Sequence, residues 1–376
     1  MNGARLAVVL ACGFSSSVSA QSAPQDLQQY VNKLQAEGEQ NRVLNQLEIG
    51  TRQLWASDMG GAAVAFDDAI EKIEMVYSGD PAAAKARSLW HEEGAKSFKG
   101  EPYERAMAYY YRGLVYLQKG DYENARAAFK QGQLQDAFAE EEQFQTDFAL
   151  LLFLEAWASH LNGDDDLRDE ALKYLTVMRP DFPGIKDDQD TLVLVETGTA
   201  PRKLGDGSNH SYFVFRRGKG FKENRAVIDV AGTELPLYPM EDIYYQAATR
   251  GGREIDKILK GKASFRQTAG NISDALATGS TVVSRMGASD TIAGIGAGLA
   301  VVSAIAAFSS KPKADTRAWL SLPDTIHVAT LSSQNQPAEK ALVRFFAGDI
   351  PDAQTERTLR FQVDPNGRRL ALTRSR

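Results

Sequence analysis

Four histidines, His91, His160, His210 and His327, and one cysteine, Cys12, are the side chains of this 376-residue chain best suited to metal or nucleophilic chemistry. Their spacing serves neither. No histidines are paired at metal-ligand spacing, and no Gly-x-Ser-x-Gly turn is present to expose a serine nucleophile. Glu196, beside Thr197-Gly198-Thr199 and near Arg202 and Lys203, is the least arbitrary candidate acid. A hydrolase would have to use it, or His210, although an ion pair accounts for Glu196 equally well. His160 lies on an apolar helical pattern, where a satisfied core or groove histidine is the plainer expectation. No catalytic residue, metal ligand or cofactor is assigned on these patterns.

Two polar clusters invite binding chemistry instead. Asn162-Gly163-Asp164-Asp165-Asp166 gathers the carboxylates that calcium favours, but a calcium loop spaces its ligands and ends in a distant glutamate. Consecutive aspartates after a glycine turn point to a helix cap. Arg216, Arg217, Lys219 and Lys222 form the most basic spot in the chain, expected at a hairpin tip. Guanidinium groups and glycine-rich backbone there could hold a phosphate, a lipid headgroup or an anionic glycan. The context lacks the helix opening of a nucleotide loop, and a solvated hairpin is the alternative.

The elements that would carry such residues are announced by spacing. From Gly113 the marked positions are Tyr116, Gly120, Tyr122, Ala125, Phe129 and Gly132, the intervals of a tetratricopeptide repeat. Gly113 and Ala125 are small where two antiparallel helices cross, Tyr116 and Phe129 fill the groove beside them, and Gly120-Asp121 supplies a left-handed turn and a helix cap. Pro102 suits the first turn of the first helix, with Glu101 and Glu104 at its positive end. Gly50, Ala62, Phe66 and Ala69, with Ser57-Asp58 at the turn, repeat the offsets upstream. Ala156, Gly163-Asp164, Ala171, Leu175 and Pro180 repeat them downstream if about three residues are inserted after the turn. Stacked pairs of this kind bury a continuous core that no single pair could make. Trp90, Tyr109 and Tyr116 are the expected lining of a partner-binding groove.

The helical pattern stops at Arg179-Pro180. Short strands are expected at Leu192 to Val195, Tyr212 to Phe215, Ala226 to Val230 and Leu235 to Leu237, then again at Ile326 to Leu331, Leu342 to Phe346, and as a closing hairpin on either side of Asp364-Pro365-Asn366-Gly367. The two strand blocks are expected to complete one sheet. Between them lies Ile292 to Phe308, seventeen residues without charge, with Gly294 and Gly298 four apart. It is near the lower length limit for a membrane span and carries the small-residue pattern of close helix contact, while its Ala and Gly content equally suits a buried helix.

The fold class expected is therefore α+β. A signal peptide over 1–20 and a lead helix and linker over 21–41 precede a tetratricopeptide-like helical domain over 42–182. A strand-rich domain over 183–376 follows, with an apolar helical insertion over 240–310. Arg5, the apolar run Leu6 to Phe14 and Val18-Ser19-Ala20 make an export signal cleaved before Gln21. Val9-Leu10-Ala11-Cys12 also resembles a lipobox, which would lipidate Cys12. Either processing leaves no thiol in the folded body and no disulfide. With 43% hydrophobic residues the chain can fill two cores, and a net charge of −6 argues against a nucleic-acid partner.

Several stretches together resemble an uncharacterised family of exported, often lipid-anchored bacterial proteins with tetratricopeptide-like helices and a strand-rich C-terminal module. They are Phe98-Lys-Gly-Glu-Pro-Tyr-Glu-Arg105, Gly120-Asp-Tyr-Glu-Asn-Ala125, Val195-Glu-Thr-Gly-Thr-Ala-Pro-Arg-Lys203 and Ala314-Asp-Thr-Arg-Ala-Trp-Leu-Ser-Leu-Pro323. The resemblance implies a periplasmic cell-envelope factor with no catalytic residues to carry over. The function expected is a non-enzymatic scaffold binding a protein or peptide through its helices, free or membrane-anchored. The alternative is a membrane-associated assembly component that inserts or oligomerises through residues 292–308.

Overall fold

Three tight turns organise the helical half. The computed structural model describes residues 25–77, 97–137, 147–206, 212–220, 223–230, 232–249, 315–334, 341–348 and 355–375. The first 24 residues with Cys12, the positions Trp90, His91, His210 and Lys222, and the stretch 292–308 lie outside them.

Within them, α1 (Gln25–Glu37) and a single 3-10 turn lead into α2 (Arg42–Trp55), α3 (Met59–Tyr77), α4 (Pro102–Gln118), α5 (Tyr122–Ala137), α6 (Ala149–Asn162) and α7 (Asp165–Met178). Each helix packs on the one before it. The turns after α2, α4 and α6 have one design. Ser57, Gly120 and Gly163 take left-handed φ values of 63°, 71° and 80°. The next N–H, from Asp58, Asp121 or Asp164, returns to the carbonyl five residues back at 2.8, 3.1 and 2.9 Å. This pairing satisfies carbonyls that a helix end leaves open. The aspartate then starts the next helix: its carbonyl accepts the N–H of Ala62, Ala125 or Arg168 at 3.0 Å in all three cases. Helix α7 therefore starts in the common register without three extra residues at the turn. Its small buried residue, Ala171, simply comes one helical turn later.

Close crossing follows from the glycines. A methyl group on Gly113 would lie 2.2 Å from Cε1 of Phe129, and one on Gly50 would lie 2.8 Å from Cε1 of Phe66. The pairs are equally spaced along the chain and make the same contact in successive hairpins.

The strands follow: β1 (Thr191–Thr197), β2 (Arg202–Asp206), β3 (Tyr212–Arg216), β4 (Arg225–Val230), β5 (Thr233–Pro236) and β6 (Tyr238–Asp242), then the short α8 (Ile243–Thr249). After residue 314 come β7 (Thr325–Leu331), β8 (Ala341–Phe346), β9 (Thr355–Thr358), β10 (Phe361–Val363) and β11 (Arg369–Arg374). The protein is thus a mixed α+β chain with helices first and strands later. The two strand blocks do pair, but they build two larger sheets rather than one. One runs β10-β11-β1-β7-β6, with β1 and β11 parallel, and the other runs β5-β4-β8-β9; β2 and β3 form a separate hairpin.

The reason lies in β1, which is buried along its whole length. Leu192 and Leu194 join the core shared with the helices, whereas Val193 and Val195 join a second core with Ile228, Val343 and Phe345 of the other sheet. Apolar residues on both faces require cover on both faces. Helices, five-stranded sheet and four-stranded sheet make three layers. The first core crosses residue 182 without interruption, joining Phe66, Tyr111 and Trp157 to Ile326, Trp319 and Leu370.

We expect Gly113→Ala to lower stability by about 1–3 kcal/mol, because the added methyl must displace the Phe129 ring within a filled core. Urea unfolding would show it, with partial recovery in Gly113→Ala/Phe129→Leu. An unchanged midpoint in the single variant would refute the close-crossing account.

Candidate functional site

The densest polar chemistry lies between the helical layer and the five-stranded sheet, where an irregular strap over residues 315–324 buries Ala318, Trp319 and Leu322 to Asp324 while Thr316 and Leu320 stay exposed. Where such a segment is buried, its N–H groups have no helix or ladder to bond and must find partners elsewhere. Two helix carboxylates supply them. Glu104 of α4 accepts the Trp319 N–H at 2.6 Å on one oxygen and the Glu101 N–H at 2.7 Å on the other. Glu48 of α2 accepts the Leu320 N–H at 2.8 Å, the Ser321 hydroxyl, and Arg52 at 2.5 Å. Between them the Trp319 ring packs 5.6 Å from that of Tyr111 and 6.4 Å from that of Phe66. Arg317 fastens the start of the strap to Asn41 at 2.6 Å. Glu104 thus does not face solvent as a first-turn acid is expected to; it is fully buried, and burial pushes its carboxyl from the ordinary 4.5 up to about 7.

Glu196, the candidate acid, is 1% exposed and pairs with Arg374. The parallel register of β1 and β11 sets these two residues opposite each other. The Tyr110 hydroxyl approaches the same carboxylate at 3.5 Å. Burial raises the Glu196 carboxyl, with Arg374 opposing the shift. Its partner is therefore the last strand, not Arg202 or Lys203. Lys203 binds Glu101 instead, tying β2 to the start of α4.

The basic spot is not a hairpin tip. Arg216 ends β3 opposite Arg202, and the following residues cross from the β2–β3 hairpin to β4 in another sheet. Arg217 turns inward and pairs with Asp242 at 2.7 Å and with Asp324, its guanidinium 4.8 Å from the Tyr244 ring centre. Lys219 is exposed. Arg217 is thus spent within the chain, in ion pairs with two buried aspartates. Asp324 is raised by burial and by the Asp242 charge beside it.

His327 stands beside Val195 across β1 and β7, its Nε2 3.1 Å from the Thr197 hydroxyl. Burial depresses it to about 4, keeping the ring neutral. His160 meets the Gln189 carbonyl at 2.7 Å. Glu241 accepts the Leu150 N–H at the start of α6, at 3.1 Å, and Gln246 at 3.0 Å. Asp164 belongs to the turn before α7, and Asp165 pairs with Arg168 at 2.8 Å.

Tyr109 and Tyr116 do not line an open groove. Tyr109 is buried and donates to Glu74 of α3 at 2.6 Å. The Arg112 guanidinium lies 3.7 Å from the Tyr116 ring centre and bonds Asp67 at 2.6 Å. Both tyrosines thus serve the packing of α3 on α4.

The arrangement holds layers together. Each of these buried carboxylates is engaged by a backbone N–H, an arginine or an amide of the same chain. Among the described residues no group of histidines, cysteines and carboxylates is placed to hold a metal, and no helix is long and apolar enough to cross a membrane. Sequence reasoning missed Glu48, Arg374 and the inward side of Arg217; the position of Arg374 in a strand that also carries Leu370 and Leu372 was the available signal. No protein-family model and no curated protein matches the sequence.

Removing Arg374 leaves Glu196 as a buried, unmatched charge, so Arg374→Met should cost about 3–5 kcal/mol. Adding Glu196→Gln should recover most of that loss in urea melts; no recovery would mean that the pair is not the relevant interaction. For Glu104 the folded pKa lies above the unfolded one. Its contribution is therefore complete below about pH 4.5 and is lost as pH rises toward 7. Relative to the native protein, Glu104→Gln should gain on the order of 1 kcal/mol more at pH 8 than at pH 5. A difference independent of pH would show that Glu104 titrates normally.

Proposed function

We propose that the chain is an exported, non-enzymatic scaffold whose tetratricopeptide-like hairpins hold a protein or peptide partner in the cell envelope. The observation that carries this reading is the triple recurrence of one turn, at Ser57, Gly120 and Gly163, with the glycine-on-phenylalanine crossing of the first two hairpins. Identical turns and crossings are what a stack of repeated units requires.

The faces of that stack are unequal. Helices α2, α4 and α6 meet the strap and sheet through Glu48, Glu104 and the Leu150 N–H. The inner face, where a groove would lie, is covered by the chain's own strands. The large exposed apolar side chains of the helices, Val64, Met75, Leu134, Leu167, Tyr174 and Val177, belong to α3, α5 and α7. We therefore put the partner surface on the outer helices. A non-enzymatic role is supported by Glu196, the best candidate acid, which is held by Arg374. Export and the likeness to envelope proteins are supported by the N-terminal pattern from Arg5 to Ala20.

A membrane-associated variant of the same role is favoured by Ile292 to Phe308 and by the lipobox-like run before Cys12. Fractionation with intact mass, on the native protein and Cys12→Ser, separates the cases. A soluble species starting at Gln21 is expected for a free scaffold, and a lipid-sized increment lost with Cys12→Ser for an anchored one. An unprocessed chain retained in the cytoplasm would overturn the export reading.

A further inference from the structure

The two ends of the helical stack differ in a way that selects one of them for docking. At the first end, α1 turns Gln28, Gln29, Asn32 and Ala36 outward, a polar face of the kind that closes a stack against water. At the other end, no element among the described residues covers the outer side of α7. Its inward side buries Ala171 and Leu175. A second line of side chains on its outer flank, Leu167, Glu170, Tyr174 and Val177, recurs at i, i+3, i+7 and i+10, the spacing of a helix-packing seam. Leu167, Tyr174 and Val177 are 36%, 56% and 82% exposed.

The charges beside this seam are mostly negative. Asp165, Asp166, Asp169 and Glu170 face only Arg168 and Lys173 within the helix, and Arg168 is shared among Asp165, Asp169 and Asp187. Glu170 lies in the seam itself, so a helix packed there must either leave the carboxylate unmatched or offer it a cation.

We propose that the outer seam of α7 docks a basic amphipathic helix of a partner protein, which stacks as the next helix of the array and places lysine or arginine opposite Glu170. A second copy of this chain fits poorly, because α7 against α7 would oppose two acidic flanks and the outward face of α1 offers no apolar side chain larger than Ala36 to enter the seam. The proposal rests on the scaffold reading above and narrows it to one surface and one partner chemistry.

Fluorescence anisotropy on the full chain tests it. The probes are a synthetic helix with leucines at seam spacing and lysines on both flanks, its glutamate counterpart, and a scrambled-order lysine peptide. The lysine helix should bind saturably. Tyr174→Ser with Val177→Ser should weaken it by at least about tenfold, roughly 1.4 kcal/mol. Glu170→Lys should shift preference toward the glutamate helix. All these side chains are exposed, and circular dichroism should report an unchanged fold. Equal binding of the scrambled peptide, retention of binding by the serine variant, or no saturable binding would overturn the proposal. So would a concentration-dependent dimer in sedimentation that disappears in the serine variant, since the seam would then belong to a second copy. None of these results depends on export or processing, so failure here leaves the fractionation result intact, and the reverse.

Discussion

The structure depends on satisfying the backbone of one irregular segment that enters the core at Trp319. The strap carries Trp319 between the helices and the sheet, where its N–H groups have neither a helix nor a ladder to bond. Glu48 and Glu104 take up the amides of Leu320 and Trp319, and they reach from two different hairpins to do so. The relative position of those hairpins is thereby coupled to the start of β7. A carboxylate in such a place is costly unless its oxygens are matched, and both oxygens of each are.

The other buried polar pairs follow the same logic at the remaining seams. Glu196 and Arg374 join the two parallel strands, Arg217 joins the crossing segment to Asp242 and Asp324, and Glu241 receives the first amide of α6. Such pairs contribute little net stability compared with apolar residues of equal volume, but each has a single matched geometry. They set how the three layers register, while the apolar core drives their association.

Covering the inner helices with the chain's own strands changes what a helical stack can offer. Tyr110 and Tyr111 are core, and the large exposed apolar side chains of the described helices lie on α3, α5 and α7. The turns and glycine crossings between the helices are local and do not depend on that cover.

Much of the fold was legible in the sequence. Left-handed turn residues followed by aspartate, the glycine and phenylalanine separated by a fixed interval, and the Asp364-to-Gly367 turn between β10 and β11 are local patterns, and local sterics decide them. The apolar run from Leu192 to Val195 likewise marked a strand. It did not say what would cover each face, so one sheet was expected where two pack together. Nor could it pair Glu196 with Arg374, 178 residues away, or turn Arg217 inward while Arg216 stays at the strand end. The alternation of a sequence states which side of an element is apolar or charged. Only the folded chain brings a particular second element to that side, because that choice is made by the packing of all layers at once.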